Sequence, residues 1–201
     1  GYSGGALASA WAAELAPRYA PDLEIVGVAS GGTPADLAAA VRQIDGGPAS
    51  GLVLLGSTGL SRAYPEMLTL LNDEGRAMID QIGDMCVGEA VTAFPFRRLN
   101  EFTTSDDPLS EPAAVRVMEL THLGRQAPDA PVFLYHSVFD ELIPFSSALG
   151  LRDDWCAAGV DVAFYADAAS EHSTLAVTGA PLAVSYLASR FAGAPVPDSC
   201  L

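Results

Sequence analysis

The chain has 201 residues, half of them hydrophobic, a mean hydropathy of +0.27 and only 17% charged residues, which excludes a disordered segment and leaves enough apolar material for one sizeable core. Asp plus Glu outnumber Arg 25 to 10, lysine is absent, and the net charge is −15. That balance repels phosphate, so it argues against nucleic acid as a partner and against an anionic membrane surface, and no unbroken apolar run approaches the roughly twenty residues of a transmembrane segment.

The chain opens on Gly1, with no charged n-region and no apolar h-region after it. Either a leader has been removed or the sequence is a piece of a longer one. Gly4 to Arg18 is Ala-rich with apolar residues at helical spacing, and Pro17 and Pro21 should close that helix. Leu23 to Ala29 reads as a buried parallel strand, and Ser30 to Thr33 as a Gly-rich turn. From Pro34 to Pro112 helical periods dominate, broken at Gly46-Gly47, Gly56, Gly59 and Pro65, and the segment reads as a helical insertion. Ala113 to Gly124 is a further amphipathic helix with Gly124 as its stop. Strand, helix, strand, helix then follow, at 131–138, 146–158, 160–166 and 174–192. That rhythm means an α/β fold with a parallel sheet.

The first five residues, Gly1-Tyr2-Ser3-Gly4-Gly5, fit the G-x-S-x-G pattern of a nucleophile elbow. There a serine sits on a strained strand-to-helix turn, and a side chain at either flanking glycine would strike a neighbouring element. The helix beginning at Gly4 would aim its amides at developing negative charge, with the Gly4 N–H as an oxyanion donor. A catalytic serine needs a base, and the chain has three histidines. His122 falls inside a predicted helix and His136 inside a predicted strand, where structural roles are expected. His172 follows a strand by a short polar loop and precedes a helix, at the carboxyl edge where open α/β sheets bind ligands. The acid should lie between Ser3 and His172 in the chain. Asp140, just past the 131–138 strand, fits, with the adjacent Glu141 as its competitor. Asp167 is too near His172 to be a separate arm, and Glu171 reads as solvated or as a supporting group. The 32 residues from Asp140 to His172 hold one helix and one strand, so acid and base fall on consecutive strand ends.

These residues resemble a known family. The stretch GYSGGALASAWAAELAPRYAPDLEIVGVASGGTP is similar to the elbow region of the secretory lipases, members of the α/β-hydrolase superfamily. LYHSVFDELIPF resembles their acid-bearing segment and ASEHSTLA their histidine segment, and the likeness runs from Gly1 to about Cys200. It implies an α/β-hydrolase fold with 34–112 as a helical cap, a Ser3–His172–Asp140 triad, lipid ester as substrate at an interface, secretion, and no cofactor or metal. It implies packing roles for Trp11 and Tyr19. It also implies a disulfide between Cys156 and Cys200, and a partner for Cys86 outside this sequence. In that family the elbow lies mid-chain. The resemblance therefore makes this the carboxyl half, with a floppy two-residue lead-in to Ser3. The earlier strands and a second oxyanion donor would lie upstream, and the sheet edge would be open to self-association. Replacing His136 should be mild. The rival readings are a short-chain carboxylesterase or acyltransferase of the same fold, and a non-catalytic lipid-binding piece.

Overall fold

A computed structural model describes residues 1–197 and 199–200. In chain order the elements are α1 (Gly4–Tyr19), β1 (Val28–Gly31), α2 (Leu37–Ile44), α3 (Gly51–Ala63), α4 (Asp73–Ile82), α5 (Val87–Ala93), α6 (Pro112–Leu120), β2 (Val132–Ser137), α7 (Phe145–Ala157), β3 (Val162–Asp167), α8 (His172–Thr178) and α9 (Ala180–Phe191), with short 3₁₀ turns at Pro65–Leu70, Leu99–Phe102 and Pro108–Ser110. The chain forms two compact units, one of Gly1–Asp36 with His122–Leu201 and one of Leu37–Thr121.

In the first unit three strands pair in the order β1-β2-β3, all parallel. Every residue of β1 and β2 is buried, as befits a parallel sheet covered on both faces. Alternation along the strands sorts the side chains onto two layers. Val28, Val132, Leu134 and Val162 face one way and pack with Ala10 and Ala13 of α1 and Leu151 and Trp155 of α7. Ala29, Phe133, Tyr135 and Ala163 face the other way, against Leu175 of α8 and Tyr186 of α9. The Cys156–Cys200 disulfide ties α7 to the C-terminal segment beside the first layer. A buried carboxylate stitches that layer too. Glu14 Oε1 on α1 accepts from the Gly124 N–H at 2.7 Å and from Trp155 Nε1–H at 3.0 Å.

The second unit is helical, apart from one isolated antiparallel bridge between Leu71 and Thr103, and it packs Leu54, Met78, Ile82, Ala90, Phe94 and Phe102 into its own core. It holds most of the segment read as a helical insertion. Asn72 caps α4 by accepting the Gly75 N–H at 2.8 Å, and Cys86, exposed and unpaired within the chain, starts α5.

Several expectations shift. The first strand is four residues long and includes Ser30 and Gly31, read as turn, while residues 23–27 lie outside any regular element. Pro17 lies inside α1 rather than ending it. Only the last turn is affected, so the missing N–H costs one bond near a frayed end. Gly56 and Gly59 lie within α3 and break nothing. Gly124 has a left-handed φ of +94° but comes four residues after α6, and His122 lies just past that helix. The last predicted helix is two, divided at Gly179, with Pro181 in the first turn of the second. Trp11 packs against the first layer, whereas Tyr19 is 89% exposed at the solvent end of α1.

Candidate active site

Ser3 is held from both sides. Tyr2 forms a parallel bridge with Gly31 of β1, the Ser3 N–H donates to the Gly31 carbonyl at 2.8 Å, and the Gly31 N–H donates to the Gly1 carbonyl at 3.1 Å. The lead-in expected to be floppy is therefore paired along the sheet. Ser3 itself has φ 52° and ψ −123°, a conformation in which an L-residue is strained. A Cβ at Gly1 would lie 2.1 Å from the Gly5 carbonyl oxygen, so a glycine is required there. Gly5 differs from expectation: a Cβ there meets nothing within 4 Å among the described residues. The turn is tight on its strand side only. Gly4 opens α1, so its N–H has no acceptor within the helix and is available to a ligand.

Asp140 and His172 come from the loops after β2 and β3, neighbouring parallel strands whose carboxyl ends lie side by side. His172 Nε2 is 2.9 Å from Ser3 Oγ, and His172 Nδ1 is 2.6 Å from Asp140 Oδ2. A carboxylate only accepts, so Nδ1 carries the proton and Nε2 is left to accept from the serine hydroxyl. The imidazole and the carboxylate are both buried. Burial alone would raise the Asp140 pKa. Hydrogen bonds from His136, His172 and the Ile143 N–H overcome it and hold the carboxyl well below the usual range. The Leu142 and Ile143 N–H groups both donate to Oδ1, at 3.0 and 2.7 Å.

The neighbouring acids divide the supporting work. Glu141 Oε2 accepts the His172 N–H at 3.0 Å, so the competitor for the acid role binds the main chain of the histidine instead. Glu171 caps α8 by accepting from the Ser173 and Thr174 N–H groups. Asp167 ends β3 and accepts the Ser170 N–H at 2.7 Å, shaping the loop that carries His172. Tyr2, not singled out from the sequence, donates its hydroxyl to the His172 carbonyl at 2.5 Å, with ring centroids 5.1 Å apart. Burial, then the negative charge of Asp140, raises the Tyr2 hydroxyl pKa well above normal, so it remains a donor. Gly32 completes the enclosure. Its φ is +55°, and a Cβ there would come within 2.9 Å of the Tyr2 ring and 3.0 Å of His172. The adjacency of Tyr2 to Ser3 was the one sequence signal for its role. His122 stands apart, its Nδ1 2.6 Å from the Leu123 carbonyl. No cluster of three metal-binding side chains occurs among the described residues, and no helix there is long and apolar enough to cross a membrane.

A family model for secretory lipases matches residues 1–199. The chain belongs to the secretory lipase family. A secreted triacylglycerol lipase of Malassezia furfur is 36% identical to this secretory-lipase chain over 100% of the chain and 43% of its own length. A Mycobacterium tuberculosis protein named "Probable inactive lipase" is 38% identical over 98% of the chain and 46% of its own length. Candida antarctica lipase A superposes with a TM-score of 0.93 at 30% identity, covering 100% of this chain and 49% of that one. A rice cell wall degrading esterase of Xanthomonas oryzae, 17% identical, shares the fold with a TM-score of 0.70 over 94% of this chain and 56% of its own. The fold is that of the α/β-hydrolases, and the chain spans about half the length of the curated relatives it matches.

Proposed function

We propose that this secretory-lipase chain carries the catalytic triad of a secreted serine hydrolase that cleaves carboxylic esters of lipids, triacylglycerols among them. Ser3 Oγ attacks the ester carbonyl while His172 Nε2 takes its proton. Asp140 keeps the imidazole in the Nδ1–H tautomer and stabilises the imidazolium that forms. The Gly4 N–H donates to the oxyanion of the tetrahedral intermediate. His172 then gives its proton to the leaving alcohol, and water, deprotonated by the same nitrogen, releases the acid from the Ser3 ester.

One observation carries the reading: Ser3 Oγ, His172 Nε2, His172 Nδ1 and Asp140 Oδ2 lie in a continuous line of hydrogen bonds of 2.9 and 2.6 Å. The lipase names of the Malassezia furfur relatives support the substrate class, and the Cys156–Cys200 disulfide agrees with an oxidising compartment. The name of the Mycobacterium tuberculosis relative favours a second reading, a binding protein without turnover. A fluorophosphonate probe followed by peptide mass spectrometry separates the two. The proposal expects a covalent adduct on Ser3 and hydrolysis of long-chain p-nitrophenyl esters. No adduct on Ser3 sinks it. Turnover of short-chain esters alone, with no response to an oil–water interface, makes the protein an esterase instead.

A further inference from the structure

His136 lies in β2, where the residues before it, Val132 to Tyr135, form the middle of both apolar layers. It is 1% exposed. Its Nε2 is 3.1 Å from the Ile143 carbonyl oxygen and 3.3 Å from Asp140 Oδ2. Both neighbours are acceptors only, so Nε2 carries the ring proton. Nδ1 is buried with no hydrogen-bond partner among the described residues. A bare buried nitrogen costs stability that an apolar side chain of the same size would not. The compensation lies at the other end of the ring, on the oxygen that also receives His172 Nδ1–H.

We infer, on the footing of the Ser3–His172–Asp140 reading, that His136 is a positioning residue for the acid: its Nε2–H, shared with the Ile143 carbonyl, pins Asp140 Oδ2 in line with His172 and tempers the negative charge that His172 faces. With the two main-chain donors on Oδ1 and His172 Nδ1–H on Oδ2, the 3.3 Å approach of His136 Nε2 completes the set of N–H groups around the carboxylate. The ring of His136 is in turn held against Phe145, with centroids 6.1 Å apart. Other charged or titratable groups around the pair act on different atoms: Glu141 on the His172 N–H, Glu171 on the first turn of α8, Asp167 on the Ser170 N–H, and Tyr2 on the His172 carbonyl. His136 keeps its proton throughout the cycle. It changes the proton affinity of the Asp140–His172 pair without entering the transfer.

The test contrasts two variants of the full chain. His136→Gln returns an amide N–H near the position of Nε2, and His136→Met fills similar space without a donor. In the Met variant kcat should fall about tenfold with KM changed by less than about twofold. The acid limb of kcat/KM should move to higher pH, because removing the positive end of a donor raises the proton affinity of the coupled pair. The Gln variant should recover kcat to within about threefold of wild type and return the limb. Equal kcat and an unmoved limb in both variants would overturn the inference, since both lose the aromatic ring alike. A reading independent of activity and of variant folding comes from imidazole nitrogen NMR of the unaltered chain, which has three histidines. His136 should be protonated at Nε2 with Nδ1 bare, and the opposite tautomer ends the proposal. An unaltered protein that neither turns over esters nor labels at Ser3 would instead count against the triad.

Discussion

Ser3 sits at φ 52°, where a side chain is strained, and the fold holds it there with backbone bonds to β1 on one side and the start of α1 on the other. Held there, Ser3 Oγ lies 2.9 Å from His172 Nε2. Ser3→Ala should therefore leave the fold and its thermal midpoint nearly unchanged while lowering turnover on the order of 10⁶-fold, measured with a soluble ester under saturating conditions. Asp140→Asn should cost about 10⁴-fold, because an amide in place of the carboxylate favours the wrong imidazole tautomer. The same variant reports on stability. The Asp140 carboxyl is held below its ordinary range, so its contribution is fully present above the unfolded pKa of about 4 and is lost as pH falls through the folded value. Melting curves from pH 7 downward should show wild type losing stability in acid more steeply than Asp140→Asn. Residue type, order and spacing in the sequence pointed to Ser3, Asp140 and His172, the three side chains that the structure joins in line at 2.9 and 2.6 Å. The supporting hydrogen bonds of Tyr2 and Glu141 to His172 could not be read there, because they join residues 170 and 31 positions apart; the approach of His136 to Asp140 spans only four residues, but it depends on how the chain turns after β2.

Among the elements, α1 is stitched to α7 by a single buried carboxylate, and nothing in an Ala-rich helix pattern announces it. Glu14 sits on the buried side of α1, and burial raises its pKa despite the Gly124 and Trp155 donors. Glu14→Leu would suit the apolar layer by composition, yet it would leave the Gly124 N–H and the Trp155 indole N–H without their acceptor. We expect a loss of about 2–4 kcal/mol from two unpaired donors, read as a lowered urea midpoint with an unchanged slope. A neutral or stabilising result would mean that water or another acceptor replaces the carboxylate. The strand and helix boundaries carry a related lesson. Hydrophobicity alone places the first strand at 23–29, but pairing with β2 begins at Val28 and runs through Gly31, where Tyr135 crosses so closely that a Cβ would fall 2.2 Å from its ring. The single helix expected over 174–192 is in fact two, and Pro181, two residues past Gly179, is the sequence signal that marks the second start. Gly56 and Gly59 do not interrupt α3, because a glycine costs a helix only about 1 kcal/mol and packing in the helical core outweighs that.

At the scale of the whole chain, the Cys156–Cys200 crosslink closes a long loop around β3. Cys156 and Cys200 are 44 residues apart in the chain. The chain-entropy argument assigns such a loop about 4 kcal/mol. Replacing both cysteines with serine should lower stability by up to that amount, measured by urea unfolding with and without reductant. If reductant leaves the midpoint unmoved, the crosslink is not formed in solution. Cys86, exposed in the helical unit, remains outside this pair. The net charge of −15 on these 201 residues is a property of the chain as a whole rather than of any one element.

Composition and order alone determined the class of the protein. A strand-and-helix rhythm requires a parallel sheet, a serine between flanking glycines at a helix start suggests a nucleophile, and a 32-residue gap carries Asp140 and His172 to adjacent strand ends. These are local or countable properties of the chain. Only the tertiary structure decided which acid faces the imidazole and how the serine turn is anchored. Those answers depend on distances between residues 28 to 170 positions apart in sequence, set by sheet register and loop packing, which no local pattern encodes.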